Sequence, residues 1–245
     1  MARYSRKISS SGYYHVMIRG INRQDIFYCD NDRYRYLSTI KRFCHELKID
    51  IITYCLMSNH VHLLVYAKSD LDLFVKKISS SYVYYFNLKY DRIGHLFQDR
   101  FKSEPIETDG YLLTVARYIL QNPQKAGICK MQNYFWNSWN DIQDNSGISK
   151  FQILVDIMEN YNNLIEFLTA ENEDICMDIE NTHGFTEEDA LNVVKKIIGT
   201  DNPMDIVKLP PDRRKSLLAE MKKAGLSIRQ ISRLTGINRN VIQRA

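Results

Sequence analysis

The chain has 245 residues, 44% hydrophobic and 25% charged, which is enough to bury the core of one large domain or of a domain with an appendage. No apolar run approaches the roughly 20 residues of a membrane-spanning helix, and the first residues lack the apolar block of a signal peptide. The five cysteines are scattered, odd in number and without a C-x-x-C pair. We therefore expect reduced thiols in a cytoplasmic protein and no zinc cluster.

The formal net charge of +4 is distributed unevenly along the chain. Residues 1–144 hold 20 Lys+Arg against 14 Asp+Glu, residues 145–206 hold 3 against 13, and residues 207–245 hold 10 against 2. A basic body, an acidic middle and a strongly basic end are typical of a protein that contacts polyanions at two places.

Hydrophobic periodicity in the first half predicts strands and helices in the order β-α-β-β-α-β, followed by a helix. The predicted strands are 13–19, 49–57, the segment after Ser58-Asn59, and 100–106; the predicted helices are 30–47, 71–90 and 110–121. This order is the split βαβ, ferredoxin-like arrangement of an α+β protein. We expect an antiparallel sheet with its helices on one face, which leaves the other face open for a site.

The second half is predicted to be all-α. Helical patterns at 148–168 and 186–198 flank an acidic stretch, and prolines precede the basic end. We predict three regions, listed by their boundaries: 1–145 with the sheet, 146–206 as an acidic helical region, and 207–245 as a basic one.

The basic end has the pattern of a helix-turn-helix. A first helix capped by Ser227, a turn at Gly236 and a second helix capped by Asn238 are predicted. The polar residues that would project from the second helix are types that contact base edges and phosphates: Arg239, Asn240, Gln243 and Arg244. The alternative is a plain helical hairpin with a basic surface.

Two histidines, His60 and His62, stand one residue apart in the apolar segment YCLMSNHVHLLVY. Alternate residues of a strand share a face, so the two imidazoles start about 6.6 Å apart on one side of the sheet. Two rings at that separation can reach one cation. They can equally be half-buried strand residues hydrogen-bonded to their neighbours, and the spacing leaves both interpretations open.

Tyr118 and Asn122 are four residues apart at the end of a predicted helix and therefore share its face. Tyrosine is a weak nucleophile at neutral pH because its pKa is near 10, and a divalent cation that polarises a phosphate would assist its attack. Two imidazoles and an amide would suit Mn²⁺ and tolerate Mg²⁺. The chain has 16 tyrosines, so spacing alone does not select Tyr118.

Five segments form a joint pattern, which are His60-Val-His62, RYILQNPQKAG at 117–127, HVMIRG at 15–20, Ile26-Phe27 and GHLFQDRFKS at 94–103. In their order and spacing they resemble the single-tyrosine HUH transposases of small insertion sequences, and among them the REP-associated tyrosine transposases. The resemblance covers about residues 10–130. The chain has Asn-Pro-Gln-Lys-Ala where the branch commonly has Asn-Pro-Val-Arg-Ala, and its end resembles extensions of longer bacterial members.

The resemblance implies a ferredoxin-like catalytic domain that acts on single-stranded or hairpin DNA, as a monomer or homodimer. By position, His60 and His62 match the metal-binding histidines, Tyr118 the nucleophile and Asn122 a further polar ligand for Mg²⁺ or Mn²⁺. Tyr118 would attack a phosphodiester, leaving a 5′-phosphotyrosine and a free 3′-hydroxyl. The reverse attack would rejoin strands without ATP.

Four basic residues of the first half are candidates for phosphate contacts, and each could equally be a solvated charge or a salt-bridge partner: Arg19, Arg100, Lys102 and Arg117. Two other functions compete with strand transfer. A domesticated transposase could regulate genes through its basic end, or a metal phosphodiesterase could use water while Tyr118 is only structural. A DNA partner would place the protein in the cytoplasm, on the nucleoid.

Overall fold

The structure is a computed structural model that describes residues 7–98, 101–145, 147–177, 187–226 and 228–245. The chain divides into two compact units, Met1–Met177 and Asp178–Ala245. The predicted boundaries near 145 and 206 differ from this division, because each end of the acidic region packs into a different core. No helix in the described ranges is long and apolar enough to cross a membrane.

The first unit is built on a four-stranded sheet. Its strands are β1 (Tyr13–Arg19), β2 (Asp50–Leu56), β3 (His60–Tyr66) and β4 (Lys102–Ile106), in the order β2-β3-β1-β4. Every neighbouring pair is antiparallel. The chain order and the strand order are those of the ferredoxin-like arrangement, so the predicted α+β class is confirmed.

Helices cover both faces of the sheet, which corrects the expectation of helices on one face. On one face, α1 (Asp30–Leu47) and α2 (Leu71–Lys89) pack against the odd-numbered residues of β3. On the other face, α3 (Asp109–Leu120) packs against residues such as Leu64. β3 is a central strand, and its five middle residues are buried on both faces, so both faces have a cover.

Among the described residues of the first unit, four shorter helices follow α3: α4 (Asn122–Lys125), α5 (Trp139–Asp144), α6 (Gln152–Ile157) and α7 (Tyr161–Thr169). Two 3-10 turns, Ile21–Arg23 and Met131–Asn133, connect other elements. The helix predicted over 148–168 is thus two helices, because Glu159 has a φ of 65° and Asn160 caps the second one. Leu154, Leu164 and Leu168 of these helices join the core under α3.

The second unit is all-α where the structure describes it, with α8 (Glu187–Ile198), a 3-10 turn (Pro203–Lys208), α9 (Pro211–Lys223), α10 (Ile228–Thr235) and α11 (Arg239–Arg244). Its core joins residues of every helix: Ala190, Val194, Ile206, Leu218, Met221, Leu226, Ile231, Ile237 and Ile242.

Three residues connect α10 to α11. Gly236 turns the chain with a φ of 71°, and the Asn238 side chain accepts from the backbone N–H of Asn240 at 2.9 Å. The predicted cap Ser227 lies outside the described residues.

Candidate active site

The sheet face under α3 carries the histidine pair. His62, in the middle of β3, is fully buried, whereas His60 at the start of the strand is half-buried. Their ring centroids are 5.0 Å apart and the ring planes are nearly perpendicular. The predicted shared face is therefore observed, and the two imidazoles differ mainly in their access to solvent.

A third histidine, His15, joins this pair and was not among the predicted site residues. It lies fully buried on β1, and its Nε2 is 2.9 Å from Nδ1 of His62. The strand register explains the contact: Met17 pairs with His62, so His15 is the diagonal neighbour of His62 on the same face. The alternation of residues in β1 shows which face of the strand His15 occupies. The pairing of β1 with β3 is also needed to place His15 beside His62.

Tyr118 of α3 lies over these imidazoles. Its ring centroid is 5.9 Å from that of His62 and 6.0 Å from that of His15, and the side chain is 7% exposed. The ammonium of Lys125 lies 4.5 Å from the Tyr118 ring centroid. A phenol from a helix distant in sequence and the imidazoles of the sheet thus meet at one place.

Asn122 lies one turn after Tyr118, as its spacing predicts. It is buried, and its Nδ2 donates to the backbone carbonyl of Tyr118 at 3.3 Å. Pro123 follows it at the start of α4, where a missing N–H costs nothing. The turn after Tyr118 is therefore held in place by the same amide that the resemblance assigns to a cation.

The buried histidines are neutral. Burial lowers the pKa of His15 to about 3. The pKa of His62 lies well below its ordinary value of 6.5, first because of burial and then because of His60, His15 and the positive charge of Arg19. A neutral imidazole keeps one ring nitrogen with a free lone pair, which is the form that binds a metal.

The residues present fit a divalent cation. His62 Nε2 and His15 Nδ1 are buried and make no hydrogen bond to any described residue. An orphaned buried nitrogen is costly unless a ligand satisfies it. Within the described ranges, no three His, Cys, Asp or Glu side chains converge on a point that could hold a metal. A cation here would therefore combine the two imidazoles of β3 with an amide and with oxygens from its substrate.

Two predicted DNA-contacting residues lie on the face that holds the histidines. Arg19 pairs with His60 across β1 and β3 and is half-buried. Lys102 is exposed on the edge strand β4, and its register partner is Met17 on the face of His15. Arg100 lies outside the described residues.

Arg117 is held within the chain. Its Nε and Nη2 donate to the Asp174 carboxylate at 2.7 and 3.1 Å, and its guanidinium lies 3.9 Å from the Phe167 ring centroid. Lys125 donates to the backbone carbonyl of Asp174 at 2.6 Å. As long as this ion pair is closed, Arg117 cannot make the phosphate contact proposed for it.

The four polar residues predicted to project from the last helix are all exposed in the second unit: Arg239, Asn240, Gln243 and Arg244. Val241 of the same helix is 49% exposed, whereas Ile242 is fully buried and occupies the inward position of α11.

Residues 8–122 match the family model described as "Transposase IS200 like". They form an IS200-like transposase domain. The matched range contains five residues of the site, which are His15, His60, His62, Tyr118 and Asn122.

Two solved structures align with this chain. The structure of a REP-associated tyrosine transposase bound to a REP hairpin aligns with a TM-score of 0.54 and 14% identity, over 73% of this chain and 96% of that one. A Deinococcus radiodurans chain described as a candidate transposase aligns with a TM-score of 0.35 and 13% identity, over 51% and 96%. The first likeness establishes the shared fold. No curated protein matches the sequence.

Proposed function

We propose that this transposase cleaves and rejoins single-stranded or hairpin DNA through a 5′-phosphotyrosine on Tyr118. The observation that carries the proposal is the position of that phenol over a neutral imidazole, His62, whose buried Nε2 has no partner among the described residues. A similar structure is that of a REP-associated transposase with a REP hairpin bound, which is why we choose hairpin DNA as the substrate.

The reaction exchanges one phosphate ester for another. The Tyr118 oxygen forms a bond to a phosphorus of the DNA strand and loses its proton to solvent, while the bond from that phosphorus to the 3′-oxygen breaks. The departing oxygen takes up a proton and becomes a free 3′-hydroxyl. The reverse attack by a 3′-hydroxyl restores the phosphodiester and releases the tyrosine, so rejoining requires no further energy source.

Different residues would bind the cation, contact the DNA phosphates and supply the nucleophile. His60 and His62 would hold Mg²⁺ or Mn²⁺ together with Asn122. Such a cation, when bound, would polarise the phosphate and offset its negative charge. Arg19, near His60, and Lys102, on the edge strand, would hold the phosphates on either side. Burial of Tyr118 keeps the phenol in a fixed position near the imidazoles.

The experiment is to incubate the full chain with hairpin oligonucleotides and Mn²⁺ and to look for a protein–DNA adduct that survives SDS. We expect the adduct with the natural sequence and its loss in Tyr118→Phe, which retains DNA binding. Tyr111→Phe is the matched control, because Tyr111 lies on the same helix and its hydroxyl donates to Glu104 at 2.9 Å. A hydrolytic phosphodiesterase or a DNA-binding regulator would give no adduct in any variant. Normal cleavage by Tyr118→Phe would reject the nucleophile.

We also propose that the second unit binds duplex DNA as a helix-turn-helix. The three-residue connection between α10 and α11, the positive φ of Gly236 and the exposed polar side chains of α11 support this assignment. A transposase that regulates genes through this unit without cutting DNA remains the second candidate function, and the adduct assay separates the two. Either function would place the protein on the nucleoid.

A further inference from the structure

A short segment after α7 is hydrogen-bonded to the end of α3. Residues 170–174 follow the last residue of α7, Thr169, and have no regular secondary structure of their own. They lie beyond residue 122, where the match to the transposase family ends. We propose that these residues form a strap that positions Tyr118 and Asn122 for the reaction by fixing the end of α3. This inference rests on the proposed function of Tyr118.

Gln121, the last residue before α4, makes three of the hydrogen bonds. Its side chain is 4% exposed, and its Nε2 donates to the backbone carbonyls of Leu168 and Ala170 at 2.8 and 3.0 Å. Its Oε1 accepts from Nδ2 of Asn172 at 2.8 Å. Because an amide has two hydrogens to donate and an oxygen that accepts, both sides of this buried amide are engaged by α7 and the strap.

Asp174 holds the residues one turn before and one turn after Gln121. Its carboxylate accepts from the guanidinium of Arg117 at 2.7 and 3.1 Å. Its backbone carbonyl accepts from Nζ of Lys125 at 2.6 Å. Residues four positions apart share a face of a helix, so the strap follows one stripe along α3 and α4.

The residues that the strap holds adjoin both candidate site residues in sequence. Arg117 precedes Tyr118, and Gln121 precedes Asn122. Asn122 begins α4, which has four residues and is too short to be stable by itself. The position of α4 therefore depends on contacts such as those that the strap makes just before it and at its last residue, Lys125. A displacement of about 1 Å at a reacting group can slow a reaction about 100-fold.

The first test is amide hydrogen exchange in the full chain without DNA, followed by NMR. The backbone N–H groups of Gln121, Lys125 and Ala126 are hydrogen-bonded within this helical segment. Asp174→Asn and Gln121→Leu should accelerate the exchange of these amides by at least about tenfold, because local opening then breaks fewer contacts. The amides of β3 should exchange at their natural rates. Unchanged exchange of the three amides in the folded variants would overturn the proposal.

Glu173→Gln is the matched control for both tests. Glu173 is exposed in the same segment, so its substitution removes one acidic charge and leaves the contacts of Asp174 and Gln121 in place. Exchange and reaction rates should equal those of the natural chain. Asp174→Asn alters a half-buried residue, so it keeps both tests decisive if Gln121→Leu does not fold.

The second test is the single-turnover rate of adduct formation with Mn²⁺ at saturating hairpin DNA. Asp174→Asn and Gln121→Leu should be about 10- to 100-fold slower per folded molecule, and their affinity for the hairpin should not weaken. A strap that contributes only to stability would lower the free energy of unfolding in urea and leave this rate unchanged, which would overturn the proposal. A faster rate in Asp174→Asn would overturn it as well, because the strap would then obstruct DNA.

The outcomes separate two failures. If the natural chain forms no adduct, the proposed function is lost, and the exchange rates still decide whether the strap holds the end of α3. If the natural chain forms the adduct and the folded variants exchange and react at its rates, only the positioning role is lost.

Discussion

The two faces of one sheet differ in what they bury. Under α1 and α2, Val61, Leu63 and Val65 of β3 pack into a core of apolar side chains. Under α3, the intervening positions place His60 and His62 beside His15 and Tyr118. Because both sets of residues belong to the same strand, a single segment contributes to the apolar core on one side and to the candidate site on the other.

The two faces also differ in the buried polar atoms that lack a hydrogen-bond partner. The α3 face keeps a buried nitrogen of His15 and one of His62 without a partner among the described residues, whereas the core under α1 and α2 keeps the hydroxyl of Tyr36 in that state. An unsatisfied buried group lowers stability by about 1–3 kcal/mol. A site that retains two of them is expected where a ligand completes the hydrogen bonding or the coordination.

The largest expected effect is on the α3 face. His60→Ala or His62→Ala should reduce DNA cleavage at least about 10³-fold, equivalent to roughly 4 kcal/mol of barrier, because the proposed cation would lose an imidazole ligand. Single-turnover cleavage of a hairpin oligonucleotide with Mn²⁺ measures this effect. Cleavage within tenfold of the natural rate would show that the pair is a structural feature of β3.

Substitution of Leu63, which is adjacent to His62 in sequence and on the opposite face, should change stability and not cleavage. Leu63→Ala removes a fully buried side chain and should lower the free energy of unfolding by about 2–5 kcal/mol. Cleavage per folded molecule should be unchanged, because Leu63 points away from the histidines. Urea unfolding measures the stability of the variant, and single-turnover kinetics on the same sample measure its cleavage rate. A cleavage rate that falls along with the stability would contradict the proposed difference between the two faces.

Acid should destabilise the α3 face selectively. Burial lowers the pKa of His15 to about 3 and that of His62 well below 6.5. Below pH 6.5 the unfolded chain therefore binds protons that the native chain does not. The free energy of unfolding should fall with decreasing pH by up to about 1.4 kcal/mol per pH unit for each histidine, and for His15 the fall continues to about pH 3.

The matched variants separate this titration from general acid sensitivity. Urea unfolding of the metal-free protein at pH 7.5, 6.0 and 5.0 should show a shallower pH dependence in His15→Gln. Leu63→Ala should shift stability by the same amount at all three values. Parallel curves for His15→Gln and the natural chain would mean that His15 is already protonated in the folded state.

The smallest expected effect lies in the second unit. Arg239→Gln with Arg244→Gln removes two exposed cations of α11 and should reduce the salt dependence of duplex binding by about two released counterions. Lys208→Gln is the control, because its ammonium already contacts Asp205 at 2.7 Å. Fluorescence anisotropy at several salt concentrations gives the slopes. A slope unaffected by the double substitution would place duplex binding elsewhere.

Local patterns predicted the elements well and their packing less well. The periodicities of 13–19 and 30–47 coincide with β1 and α1, because strand and helix spacing is written directly in the sequence. The prediction of helices on one face of the sheet did not include the helices that pack on its second face. α6 and α7 are short, and their leucines pack in the same core as α3. Their positions therefore depend on the packing of α3 against the sheet, which local spacing does not specify.

The site was predictable as far as its residues share one element. His60 with His62, and Tyr118 with Asn122, follow from strand and helix spacing, and the family resemblance joins the two pairs. His15 depended on the register between β1 and β3, which the sequence does not specify alone. The closure of Arg117 onto Asp174 joins residues 57 positions apart, so local spacing could not reveal it.

The central claim is that the phenol above the histidine pair forms the covalent bond to DNA. Mass spectrometry of peptides from an SDS-resistant adduct tests it most directly. We predict one modified peptide, carrying a nucleotide through its 5′-phosphate on Tyr118. A nucleotide on another tyrosine of the same face, such as Tyr13, Tyr66 or Tyr111, would contradict the account, as would cleaved DNA without any protein-bound nucleotide.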